Sequence, residues 1–351
     1  MLPFSDRLYP TEMRPDSDRG AELAAAIELV RNTLSGASKA SIDQVPIIVV
    51  KLTSNGEMDF AGIKEGEMFF SGSLLKVSLL YASFALVARI NEVAPDISAT
   101  STRDFFVKLE QELGAQIADA VPQVSSGVWQ RVKWSEALSA AKDASDQFSV
   151  TMSTRHEQDL KSILANQRQN DGARECMHRL GFSFVNGALD AAGFFGVVSE
   201  TGIWMATDYV IDNPPGTGNW PSFNIPVSTN GTSSAAMTVL TMAHLLTKIH
   251  REELVDQTSS QAMRGIFGTG GAWLTTLPAA TQNAFSFTST GAKVGHSASG
   301  SAKVGSVMSE AAFLDRKSDG AQFVAVWQNV PDALGFEPIY RVIDEVVSSW
   351  P

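Results

Sequence analysis

The run FFSGSLLKVSLLYASFALVARI, Phe69–Ile90, constrains this chain more than any other feature, because a segment so apolar has to be buried somewhere. Its length would serve a bilayer span, for which about 18 or more apolar residues suffice. Lys76 argues against that: a charge near the middle of a spanning helix costs roughly 3 kcal/mol. Ser71, Ser73, Ser78 and Ser83 dilute the run further. A helix that is apolar on all sides can instead be the central helix of a large domain. The segment is therefore expected to be a buried helix, and no membrane span is expected.

The chain can supply the surroundings. Its 351 residues, 44% hydrophobic and 19% charged, are ample for one large domain or two lobes sharing a core. The net charge of −11 opposes general electrostatic binding to nucleic acid or anionic lipid, so neither is expected as a partner. A single cysteine, Cys176, excludes an internal disulfide. The opening MLPFSDRLYP has no charged segment followed by an apolar one, so the chain as given reads as cytoplasmic. A periplasmic location would follow if a signal peptide had been removed.

Along the chain, Leu23, Ile27, Val30 and Leu34 repeat at helical spacing behind the capping side chains of Asp16, Ser17 and Asp18. PIIVVKL (Pro46–Leu52) and the segment Glu57–Phe70, separated by SNG, read as a hairpin leading into the buried helix. From Ser101 to His250 the patterns are mainly helical, interrupted by PPGTGNWP. FSFTSTGAKVGH, AKVGSVMSEAAFL and QFVAVWQNV then return to strand patterns. Ile339, Ile343, Val346 and Trp350 mark a closing amphipathic helix. Strand-rich ends flanking a helical block favour an α+β fold with an antiparallel sheet built from both chain ends.

Ser73 and Lys76 lie three apart, so on a helix they share one face. A serine hydroxyl is a poor nucleophile until a base takes its proton. A lysine serves as that base when desolvation and a second cation lower its pKa, and an apolar helix supplies the desolvation. SxxK alone is a weak pattern. Its context is not: a hairpin before it, a helical block after it, then a strand carrying Lys, x, Gly.

In that order the sequence resembles the penicillin-recognising serine enzymes, β-lactamases and penicillin-binding proteins, and among them the class A β-lactamase branch. The first motif appears as SLLK, Ser73 to Lys76, and the third as KVG, Lys293, Val294 and Gly295. The second motif, SDN in that family, precedes a helix ending in a leucine and glycine pair. Counting back from Leu180 and Gly181 puts Arg168, Gln169 and Asn170 in its place. STNGTSSAAMTVLTMAHLL and ELVDQTSSQAM look like the family's helical stretch after its omega loop.

The resemblance implies a β-lactamase/transpeptidase-like fold: an antiparallel sheet between N- and C-terminal helices, with an all-helical insertion. The sheet lobe would comprise residues 1–75 and 262–351, and the helical lobe residues 76–261 with an omega-type loop. It also implies roles. Ser73 would be the nucleophile, Lys76 its base, Lys293 a source of positive potential, and Asn170 a contact to a substrate amide. Backbone N–H groups of Ser73 and His296 would form the oxyanion hole, and Arg168, Gln169, Gly295 and His296 would line the substrate. That substrate would be a small or peptide-like carbonyl compound: an ester, an amide or a strained lactam. No cofactor is called for, and the pattern carries no indication of oligomeric state.

Three departures from the family bear on activity. Arg168 replaces the proton-relaying serine and, as an obligate cation, cannot do its work, although its fork suits a carboxylate. Val294 removes the hydroxyl of the third motif. The omega-loop glutamate that activates the deacylating water is not recognisable among Glu200, Asp208 and Asp212. β-Lactam turnover is thus expected to be poor, and two functions stay open: a serine hydrolase or acyltransferase, and a catalytically degraded relative kept for binding or structure.

Other motifs carry less. Lys303, in a second AKVG, is an alternative to Lys293, which is preferred because SASGS then supplies a turn between strands. GIFGTGG, residues 265–271, lacks the lysine of a phosphate-binding loop and reads as a loop. His156, His178, His244, His250 and His296 show no metal-ligand spacing, and Cys176 reads as core.

Overall fold

A computed structural model describes residues 13–53, 58–121, 131–165, 170–196, 201–206, 235–297 and 306–351. The first elements are β1 (Arg14–Pro15), α1 (Ser17–Arg31), α2 (Gly36–Ile42), β2 (Ile47–Lys51) and β3 (Asp59–Ile63). A 3-10 turn, Gly72–Lys76, then runs into α3 (Val77–Val93). The middle of the chain forms α4 (Thr102–Leu109), α5 (Ala115–Asp119), α6 (Trp134–Ala137), β4 (Leu138–Lys142), β5 (Phe148–Met152), α7 (Thr154–Ala165), α8 (Asn170–Leu180) and α9 (Phe182–Ala191). It continues through β6 (Phe195–Gly196), β7 (Thr201–Gly202), α10 (Val239–His250), α11 (Gln257–Phe267) and α12 (Ala279–Ala284). The chain closes with β8 (Phe287–Ser297), β9 (Val307–Arg316), β10 (Gln322–Pro331) and α13 (Glu337–Ser349).

The α+β expectation holds. One six-stranded sheet has the order β1-β3-β2-β10-β9-β8, so β2 and β3 from the front of the chain pair with three strands from its end. Every pairing is antiparallel except that of the two-residue β1 with β3. Both faces of the sheet are buried, which is why β2 reads as an unbroken apolar run. The period of two sorts its side chains: Ile48 and Val50 join the core on the helical side, while Ile47 and Val49 join the core beneath α1 and α13.

The flanking helices form for the reasons their sequences suggest. The Asp16 side chain accepts from the backbone N–H groups of Asp18 and Arg19, and α1 buries Leu23, Ile27 and Val30. Leu34 lies past the end of α1, packed against the same core. On α13, Ile339, Ile343 and Val346 are buried, and Trp350 caps the end.

Among the described residues one helical run, Gly72–Asp96, is long and apolar enough to cross a membrane, but 67% of its most apolar window is buried inside the protein. It is an interior helix, packed by α8, α9, β5 and α7. The insertion around it is not wholly helical. Phe148 and Val150 point inward and Ser149 and Thr151 outward, an alternation that a strand satisfies and a helix does not, so this segment pairs with β4 as a hairpin. The glycine-rich stretch 265–271 also differs from the expected loop, because Gly265 to Phe267 complete α11.

Candidate active site

The motif strand and the serine turn meet with almost no room between them. Gly72 has φ +57, a conformation that favours glycine, and a Cβ there would lie 3.3 Å from the backbone of His296. A Cβ on Gly295 would lie 2.2 Å from the Ser71 carbonyl oxygen and 2.9 Å from the Leu74 nitrogen. The hydroxyl of Ser309, on β9, donates to the Ser71 carbonyl at 2.6 Å and to the Gly295 carbonyl at 3.4 Å. The glycine of KVG is thus a steric requirement that lets β8 lie directly against the turn holding Ser73. Gly295→Ala is expected to cost about 1–3 kcal/mol or more by overpacking. A thermal melt should drop by several degrees, and the serine turn should shift with it.

Ser73 is half-buried on the 3-10 turn, and Lys76, at the turn's end, is fully buried. The Lys76 Nζ donates to the Asn170 Oδ1 at 2.9 Å. Asn170 opens α8, so the start of that helix is brought against the end of the serine turn. Burial lowers the Lys76 amine to about 8. Lys293 is also fully buried, and its Nζ donates to the Ile163 carbonyl of α7 at 2.8 Å. Burial first, and then the charge of Lys76, lower it to about 7. The two lysines are therefore electrostatic neighbours, one from each end of the chain.

His296 is placed differently. Its backbone lies beside Gly72, but its imidazole stands on the outer side, with the Nε2 3.2 Å from Asp332 and 3.0 Å from the Ser306 hydroxyl. Only its main chain adjoins the serine turn. Val294 is buried and lies opposite Glu310 of β9. Arg168, Gln169, Glu200, Asp208, Asp212 and Lys303 lie outside the described residues. Cys176 is buried, as expected of a core residue, and among the described residues no cluster of His, Cys, Asp and Glu would hold a metal ion.

Sequence reasoning missed three contributors: Ser309, the Ile163 carbonyl and the positive φ of Gly72. The last left a trace, a glycine directly before the serine. The other two left none, since one is a main-chain oxygen and the other a serine in an ordinary strand pattern.

No family model matches the sequence, and no curated protein matches it. Solved structures do. The TLA-1 extended-spectrum β-lactamase superposes with a TM-score of 0.55 over 93% of this chain and 99% of that one, at 13% identity. A β-lactamase from Chitinophaga pinensis gives 0.51 over 93% and 97%, at 12% identity. This chain has the β-lactamase-like fold. The structure of PBP-A matches as well, with a TM-score of 0.50 over 96% of this chain and 97% of that one, at 15% identity. Such likenesses show the fold alone and do not select the class A branch that the motifs suggested. What this β-lactamase-like chain does has to be argued from its own residues.

Proposed function

We propose that this chain is a serine hydrolase or acyltransferase acting on an ester, amide or lactam carbonyl. The observation that carries the proposal is Lys76: it is fully buried, one helical turn after Ser73, with its amine lowered to about 8. A group so poised is neutral often enough near pH 7–8 to accept a proton, yet basic enough to hold it. In the proposed reaction the Ser73 Oγ bonds to the carbonyl carbon as its proton passes to Lys76. The oxyanion meets the N–H groups of Ser73 and His296, the proton goes on to the leaving group, and an acyl-enzyme remains. Lys293 adds positive potential, and Asn170 orients Lys76 and a substrate amide.

A second reading, a binding or structural protein that has lost its chemistry, is favoured by Arg168, which stands where the family has a proton-relaying serine. Intact mass after exposure to a penicillin and, separately, to a fluorophosphonate decides between them. A single adduct is expected, absent in Ser73→Ala and largely absent in Lys76→Ala. A folded wild type that neither reagent labels would favour the second reading.

Turnover should depend on the leaving group. An opened β-lactam ring stays attached and shields the acyl carbonyl, and no deacylating glutamate is recognisable in the sequence. Nitrocefin is therefore expected to give at most a stoichiometric burst, while p-nitrophenyl acetate, whose leaving group departs, turns over with Lys76 serving again as base. Rapid multiple turnover of nitrocefin would contradict this and demand a second base.

A further inference from the structure

Away from the serine, a cavity of about 880 Å³ opens on the helical side, bounded by α3, β5, α7 and α11. Phe84 and Val87 of α3, Met152 of β5 and Ile266 of α11 supply apolar lining from three separate elements. None of the residues lining it belongs to the Ser73 site.

Gly265 borders this space on α11. It lies inside α11, where glycine is the least favourable residue after proline. Its φ is not positive, and a Cβ there would meet nothing within 4 Å, so neither backbone conformation nor close packing requires a glycine. Its effect is to lower one wall of the cavity. The charges at the rim cancel: Lys161 and Glu157 of α7 pair at 2.6 Å. Thr151, Thr154 and Thr258 are among the residues that add hydroxyls to the lining.

We propose that this cavity is a second binding site, for a neutral and mostly apolar drug-sized molecule carrying one hydroxyl or carbonyl. Cavities of this size with apolar walls and a few polar groups are the usual form of small-molecule sites. The class of ligand follows from the rim. An anion would have to displace Glu157 from Lys161 and a cation Lys161 from Glu157, whereas a neutral molecule leaves the pair intact and engages a threonine hydroxyl.

The test uses the Ser73→Ala full-length protein, so that serine chemistry cannot contribute, and para-phenylphenol as the probe in calorimetric titration. Saturable binding is expected, weakened at least tenfold by Gly265→Leu, which pushes a side chain into the cavity from one wall without lowering the melting temperature. Ala262→Leu, on the same wall, provides the same check if the first variant is poorly folded. The proposal is overturned by no binding up to the probe's solubility, or by equal affinity in the folded filled variants. Tighter binding of para-phenylbenzoate would also overturn it, because the site would then be selecting an anion. So would a concentration-dependent dimer in sedimentation that Gly265→Leu abolishes, because a second copy would then be what covers the groove.

Discussion

Lys76→Ala should slow acylation of Ser73 by a fluorophosphonate about 10²–10⁴-fold, the range that a positioned general base contributes. The pH dependence should change with it. In the wild type the labelling rate is expected to rise with pH and level off around the Lys76 value of about 8, because only the neutral amine accepts the serine proton. In Lys76→Ala that rise should vanish. Lys76→Arg should not restore it, since a guanidinium stays charged throughout this range. Equal rates in wild type and Lys76→Ala, across pH 6 to 10, would remove Lys76 from the mechanism.

Lys293→Met should make the protein more stable in acid and neutral solution, with the gain shrinking as pH rises. The sign follows from proton binding. The folded value of about 7 lies below the ordinary lysine value of 10.5, so between these pH values the unfolded chain holds more protons than the native one. Stability from this group is therefore complete above about 10.5 and is lost as pH falls toward 7. Methionine, which has no charge to desolvate, escapes that loss. A gain of roughly 3 kcal/mol at pH 6, after allowance for the lost bond to the Ile163 carbonyl, should approach zero by pH 10. Denaturant melts of both proteins at several pH values measure the difference directly. A gain independent of pH would mean that Lys293 is not held near neutrality by its surroundings.

What was legible in the sequence depended on how local the cause was. The helix caps, the unbroken apolar β2, the hairpin into the buried helix and the three C-terminal strands all follow from short-range periodicity and turn residues. The spacing of Ser73 and Lys76 was readable for the same reason. The hairpin β4–β5 was hidden inside a mainly helical stretch because its alternation runs over only five residues per strand. The way Gly295 seats against Ser71, and the way Ser309 ties both carbonyls, were not readable at all. They are contacts to main-chain atoms far apart in the chain, and nothing in either local pattern records the partner. The orientation of the His296 imidazole toward Asp332 was likewise set by a distant loop rather than by its own strand.

The hydroxyl of Ser309 has a consequence for the order in which this protein can be made. It bonds to the Ser71 carbonyl across 238 positions of sequence, and β2, paired on one side with β3, finds its other partner only in β10. During synthesis, then, the serine turn leaves the ribosome long before the strand that clamps it exists. α3 can pack against β5, α7, α8 and α9 as they appear, but the turn Gly72–Lys76 must wait for β8 and β9. Closing so long a loop is entropically unfavourable and slow. A chain stalled before β8 would contain both Ser73 and Lys76 but not the strand against which their turn is seated, which makes this the stage at which chaperone protection matters most.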